Sequence, residues 1–223
     1  KPTMAENMKV AADRIKKYLQ PMDNPYVRAT VEQKGNIVSY TLVPDTARRF
    51  LSELGVAYLM SPRFDRVQWI GKGPYATYPG RKQAGRYGFW ALQKDDIYFE
   101  GNRMNCDAVW VSDSEGNGVV FECDGGDVSF EQTDRGIVIT VNAAVSGQGP
   151  KFARTAFGVW SDKTPEKTGS FRMYATRSGS IPKPFAEPKS VKAPFKPFLT
   201  QYDTYLMRFA DIWGGNVING QQK

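Results

Sequence analysis

Three carboxylates, Asp95, Asp96 and Glu100, fall close together around one expected turn, and paired carboxyl groups are a minimal kit for acid–base hydrolysis. Proximity is their whole case. Charged loop residues are ordinarily solvated, so the cluster reads as surface and no catalytic residue is assigned from it. Histidine is absent, which removes every Ser-His-Asp triad, Cys-His pair and His-ligated metal site that this chain could build alone. Cys106 and Cys123 are the only cysteines, too few for a disulfide framework or a four-cysteine zinc site, and they read as small buried apolar side chains on either side of a turn. Residues 113–118, Asp-Ser-Glu-Gly-Asn-Gly, space oxygen-bearing side chains like a calcium loop with Asp124 at the twelfth position. A strand-like run, Val119-Val120-Phe121-Glu122-Cys123, follows where such a loop needs a helix, so a hairpin turn is expected there. Metal and cofactor are both expected to be absent.

The elements that must position any site are mostly strands. Residues 26–33, 36–43, 54–60, 66–70, 86–92, 106–111, 119–123, 128–132, 136–141, 154–159 and 171–176 are short runs rich in β-branched and aromatic residues. Gly35-Asn36 marks a hairpin between the first two. About eleven such runs separated by turns predict an all-β protein, an antiparallel β-sandwich over residues 26–177. A helix is expected in the lead-in, residues 1–25, where Met4, Met8, Ala11, Ala12, Ile15 and Leu19 recur at helical spacing before Pro21. Residues 178–198 carry five prolines among lysines and phenylalanines, a composition that excludes a central strand or helix. Phe185, Phe195 and Phe198 favour a strap lying on the sandwich over a free linker. Tyr202, Tyr205, Leu206, Phe209, Ile212 and Trp213 then predict a second short helix in residues 199–223.

With 223 residues the chain can bury a real core without staples. Its formal charge of +7 is localised: Lys9, Arg14, Lys16 and Lys17 outweigh Asp13 on the first helix, and Arg177, Lys183, Lys189, Lys192 and Lys196 outweigh Glu187 in the proline-rich segment. A phosphate-tracking groove would instead interleave cations with exposed aromatics on one folded surface, so no nucleic-acid partner is expected. No apolar run approaches the ~20 residues that span a bilayer, so no membrane partner is expected either. The opening residues lack the apolar stretch of a signal peptide, and the cellular address stays open, the periplasm and secretion included.

One segment exceeds what composition explains. Residues 71–81, GKGPYATYPGR, leave an apolar strand with three glycines, two prolines and two tyrosines, which predicts an ordered, aromatic-lined loop in which Gly supplies positive φ and Pro fixes φ. Gly71, Lys72, Gly73, Pro74, Tyr78 and Arg81, followed by a Glu100-Gly101-Asn102-Arg103 turn, a Gly-rich hairpin tip at 113–118 and Phe157-Gly158-Val159-Trp160-Ser161, resemble the small-chain domain of glycoside hydrolase family 2 β-galactosidases. The chain departs from that pattern at Ala76, where the family has Glu, and at Gly80, where it has Asp. The resemblance covers roughly residues 26–176 and implies a galactose-mutarotase-like supersandwich. Glycosidases work with two carboxyl groups about 5–5.5 Å apart for retention or about 6.5–9.5 Å for inversion. In the resembled family both belong to a separate catalytic barrel.

The resemblance therefore implies a noncatalytic domain that buttresses a barrel partner and lends an aromatic loop to a carbohydrate of β-galactoside type. Trp160 is the residue expected to face sugar. Tyr75 and Tyr78 either line the cleft or support the loop, and Glu100, Asn102 and Arg103 complete the candidate carbohydrate-binding set. Trp69, Trp90 and Trp110, inside strand-like runs, are expected in the core. An independent carbohydrate-binding module and a scaffold without sugar contacts remain as alternatives.

Overall fold

A computed structural model of the chain describes residues 26–97, 101–147 and 158–186. The two expected terminal helices, most of the run at 154–159, Phe195 and Phe198 lie outside the described residues. Among the described residues eleven strands carry the fold: β1 (Val27–Lys34), β2 (Ile37–Pro44), β3 (Phe50–Leu51), β4 (Glu53–Leu59), β5 (Arg66–Gly73), β6 (Arg86–Gln93), β7 (Asn102–Ser112), β8 (Gly118–Thr133), β9 (Gly136–Val145), β10 (Val159–Trp160) and β11 (Lys167–Thr176). One short helix, α1 (Lys183–Ala186), follows them. Every pairing is antiparallel, and the main sheet runs β1-β2-β11-β8-β7-β5-β6. The β1–β2 hairpin turns at Gly35, whose φ of 60° explains a glycine there.

The runs expected as separate strands at 119–123 and 128–132 form one strand of 16 residues. Asp124 (φ 48°) and Gly125 (φ 81°) bend it without ending it. Its partner β7 bends alongside, with Asn105 at φ 54° and register shifts between Arg103 and Cys106 and between Cys106 and Ala108. This long strand creates the two layers. Its first part, Gly118–Glu122, pairs with β11, whereas Asp127–Thr133 pairs with β9, which in turn carries β4. The β9–β4 arm thereby folds over the main sheet: Tyr58 of β4 meets Phe121 of β8 at 5.6 Å and Phe171 of β11 at 6.1 Å between ring centroids.

Between the layers lies the core, drawn by strand alternation from Val38, Trp69, Val109, Val111, Phe121, Phe130, Ile137 and Ile139, with both cysteines, unpaired, among them. Each such side chain contributes about 1.5–3 kcal/mol of burial. Trp69 is fully buried and Trp90 packs against the same cluster. Trp110 is buried on the opposite face, with Ile70, Ala108 and Val120. Phe185 of α1 closes that face, its ring 5.6 Å from Trp110 and 5.9 Å from Phe89. The protein is thus an antiparallel β-sandwich.

Candidate functional site

The glycine-proline segment is ordered for a reason other than the expected one. Gly71 and Gly73 belong to β5, and neither has positive φ. They are small because neighbours press on them. A Cβ on Gly71 would lie 2.8 Å from both Cα and Sγ of Cys106, and one on Gly73 would lie 2.7 Å from the Trp90 ring. The loop proper, residues 74–81, begins after the cis Gly73–Pro74 peptide. It is anchored from below. Thr77 donates its N–H to Asn102 O at 2.8 Å, and its hydroxyl accepts from Met104 N at 2.8 Å. Gly80 N bonds Gly147 O at 2.9 Å.

The expected site residues divide into two groups by depth. Tyr78 is buried against Ala76 and Val145, and its hydroxyl accepts from Asn102 N at 3.4 Å. Asn102 is buried and donates through Nδ2 to Thr77 O at 2.7 Å. Arg103 is buried too: Nη1 donates to Gly101 O at 3.0 Å, and the guanidinium stands 5.1 Å from the Trp69 ring centroid and 5.0 Å from that of Phe130. Tyr75 and Trp160 are only half-buried. Glu100 lies outside the described residues, and Asp95 and Asp96 are exposed on a 3-10 turn, Lys94–Asp96.

Trp160 occupies β10, a two-residue strand paired with β3. Phe50 meets its indole edge-on at 5.5 Å and 74°, and the exposed Arg48 places its guanidinium 4.8 Å from the ring centroid. Ser161 fixes the backbone that presents Arg48: its hydroxyl donates to Ala47 O and accepts from Arg49 N at 3.0 Å. The Trp160 arm and the 74–81 loop meet at the end of β9. Ser146 Oγ donates to Leu51 O at 2.5 Å and accepts from Val159 N at 2.7 Å, while the adjacent Gly147 O holds Gly80. Tyr75, Tyr78, Asn102 and Trp160 are thus brought to one end of the sandwich.

A polar cluster under this end was not anticipated. Ser129 Oγ lies 2.6 Å from Glu53 Oε1 and accepts from Asn142 Nδ2 at 2.8 Å. Asn142 Nδ2 also donates to Asn102 Oδ1 at 3.2 Å. Burial raises the Glu53 carboxyl above its ordinary range, opposed by hydrogen bonds from Ser129 and Asn142. Nearby Asp127 is likewise raised by burial, against hydrogen bonds from Asn105 and Asn102. A carboxylate between Leu51, Leu54 and Val56, in an otherwise apolar stretch, was the available signal for this cluster. At the 113–118 turn, Asp113 Oδ1 accepts from Glu115 N at 3.0 Å and Asn117 N at 2.9 Å, so its carboxylate organises the hairpin.

The fold and this end of it define a β-sandwich whose ordered glycine-proline loop and aromatic arm share one anchor. A family model for the β-galactosidase small chain matches residues 5–153, and the chain belongs to that family. It is similar to the β-galactosidase of Oenococcus oeni, 33% identical over 49 residues, which is 22% of this chain and 5% of that protein. It is also similar to the β-galactosidase of Pectobacterium atrosepticum, 34% identical over 58 residues, 26% of this chain and 5% of the other. The matched part therefore spans only 5% of the length of each of these relatives.

Proposed function

We propose that this chain is a noncatalytic, carbohydrate-associated sandwich domain of a β-galactosidase-like glycoside hydrolase, which abuts a catalytic barrel and lends Trp160 to sugar binding. One observation carries the reading: Trp160 is held half-buried on a two-residue strand, braced by Phe50 and Ser161, at the end where the glycine-proline loop is anchored. Residues that serve only the core need no such bracing at a rim. An indole face suits the C–H-rich face of a pyranose, and fully covering an aromatic of ~150–250 Å² contributes at most about 4–6 kcal/mol before ordering costs. In this arrangement Tyr75 lines the approach, while Tyr78, Asn102 and Arg103 act from beneath by fixing the loop. Glu100 adjoins them in sequence.

The test has two halves. The isolated chain should not hydrolyse a nitrophenyl β-galactoside. In the polypeptide that joins it to a barrel, Trp160→Ala should lower kcat/KM about 10- to 100-fold, the equivalent of about 1.4–2.7 kcal/mol of transition-state stabilisation, with the fold unchanged by circular dichroism. Turnover by the purified isolated chain, or unchanged kcat/KM in the variant, would overturn the reading. Sugar binding by the isolated chain that Trp160→Ala abolishes would favour an independent binding module instead.

A further inference from the structure

The Glu53 cluster links the layers of the sandwich to the loop at its end. Glu53 faces Val145 across the β4–β9 ladder, two residues beyond Leu51, which pairs with Val159 of the Trp160 arm. From Glu53 the contacts run through Ser129 and Asn142 to Asn102 Oδ1, and Asn102 Nδ2 holds Thr77 O. We propose that Glu53 is a positioning residue for the 74–81 loop, and that the ionisation of its carboxyl sets how firmly Asn102 holds that loop.

Hydrogen counting gives the reason. The Ser129 hydroxyl has one proton and two acceptors within reach, Glu53 Oε1 at 2.6 Å and Asn102 Oδ1 at 3.3 Å. When Glu53 is ionised, the proton points to the carboxylate, the closer and charged acceptor. When Glu53 is protonated, the carboxyl donates to Ser129 Oγ, and the Ser129 proton turns to Asn102 Oδ1. Asn102 then receives a second donor beside Asn142. The charge state of β4 is thus transmitted to the amide that carries Thr77. The Asn142 amide cannot simply flip to absorb the change, because its N–H groups face acceptors on Ser129, Asn102 and Glu53. Its own Oδ1 is left buried with no partner among the described residues.

A second titratable group acts on Asn102 directly, and the test below separates the two carboxyls. From β8, Asp127 faces the Asn102 side chain, and Lys72 and Lys82 act on it from the rim. From β7, Arg103 is engaged with Trp69, Phe130 and the Gly101 carbonyl. From β9 the contacting group is the neutral Asn142. The loop should be tightest with Glu53 protonated and loosen as the pH rises through the titration of this half-buried carboxyl.

Hydrogen exchange of the peptide spanning 74–84, corrected for the intrinsic effect of pH and followed from pH 4.5 to 8 in the full chain, tests this. In the wild-type protein the protection should fall with rising pH. Glu53→Gln, permanently neutral, should abolish that dependence and keep the low-pH protection throughout. Ser129→Ala, which cuts the relay, should also abolish the dependence but hold the peptide at the wild-type high-pH exchange throughout, about 10-fold faster than wild type at low pH, the loss of roughly one hydrogen bond, and leave the β1–β2 hairpin unchanged. The proposal fails if Glu53→Gln retains the wild-type pH dependence, if Asp127→Asn removes it instead, or if Ser129→Ala leaves the loop as protected at low pH as it is in the wild type.

Discussion

Replacing Gly71 by alanine tests whether the glycine-proline segment is ordered by crowding. The added Cβ would stand 2.8 Å from Cys106 Cα, 2.8 Å from Cys106 Sγ and 2.9 Å from Asn105 O. Carbon atoms rest at about 3.5–4.0 Å, so Cys106 Cα alone would have to withdraw by about 0.7–1.2 Å. Two of the three atoms are backbone, in a stretch of β7 already bent by Asn105 at φ 54° and held to β5 through residues 108–112. Overpacking of this kind costs about 1–3 kcal/mol, and the backbone contacts place Gly71→Ala toward the upper part, about 2–3 kcal/mol. For a protein of this size that lowers Tm by about 4–12 °C. Urea unfolding should show a lower midpoint with an unchanged slope. Adding Cys106→Ala removes only the Sγ contact and should recover less than half of the loss. If Gly71→Ala unfolds within about 0.5 kcal/mol of wild type, β7 does not press on this glycine and the reasoning is wrong.

Two further outcomes follow from packing and charge. Phe185→Ala should cost about 3 kcal/mol and shift tryptophan emission to the red, because it uncovers the buried indole of Trp110; an unchanged emission maximum would show that α1 does not cover that face. Glu53 and Asp127 both have raised pKa values when folded, so the folded state binds their protons more tightly than the unfolded one. Their contribution is therefore largest below the ordinary carboxylate range and is lost as pH rises through the raised values. Glu53→Gln with Asp127→Asn should flatten the decline of unfolding free energy between pH 4 and 7, measured by urea titration, and an unaltered slope would contradict the assignment.

Strand positions were legible because alternation of Val, Ile and aromatic residues is a local signal, and it located β1, β2 and β6 to within a residue or so. The continuity of β8 was not legible. Asp124-Gly125 reads as a turn, and only the matching bend in β7 shows that the ladder survives it. Trp110 was recognisable as buried, but the face it occupies depends on Phe185, which arrives from 75 positions downstream and from a segment with no strand pattern. At the candidate site, Trp160 and the tyrosines stood out by type. Glu53, Ser129 and Asn142 did not, because their meeting depends on β9 folding over the main sheet, a long-range event that local periodicity does not encode. Gly71 and Gly73 were noticed for the wrong property, since a glycine kept small by a neighbour looks the same in sequence as one kept for its dihedral freedom.

The placement of β11 bears on how such a domain is made. Among the described residues it is the last strand in the chain order, yet it sits inside the main sheet, with β2 on one side and β8 on the other. A nascent polypeptide that has emerged only to about residue 153 has two raw strand edges and a β1–β2 hairpin with nothing to join, a species prone to pairing with other chains. Closure waits for residues 167–176 to leave the ribosome and insert between partners made more than a hundred residues and more than about fifty residues earlier. Such wide sequence separations slow folding, so pauses in translation before that point should be the moment of greatest dependence on chaperones.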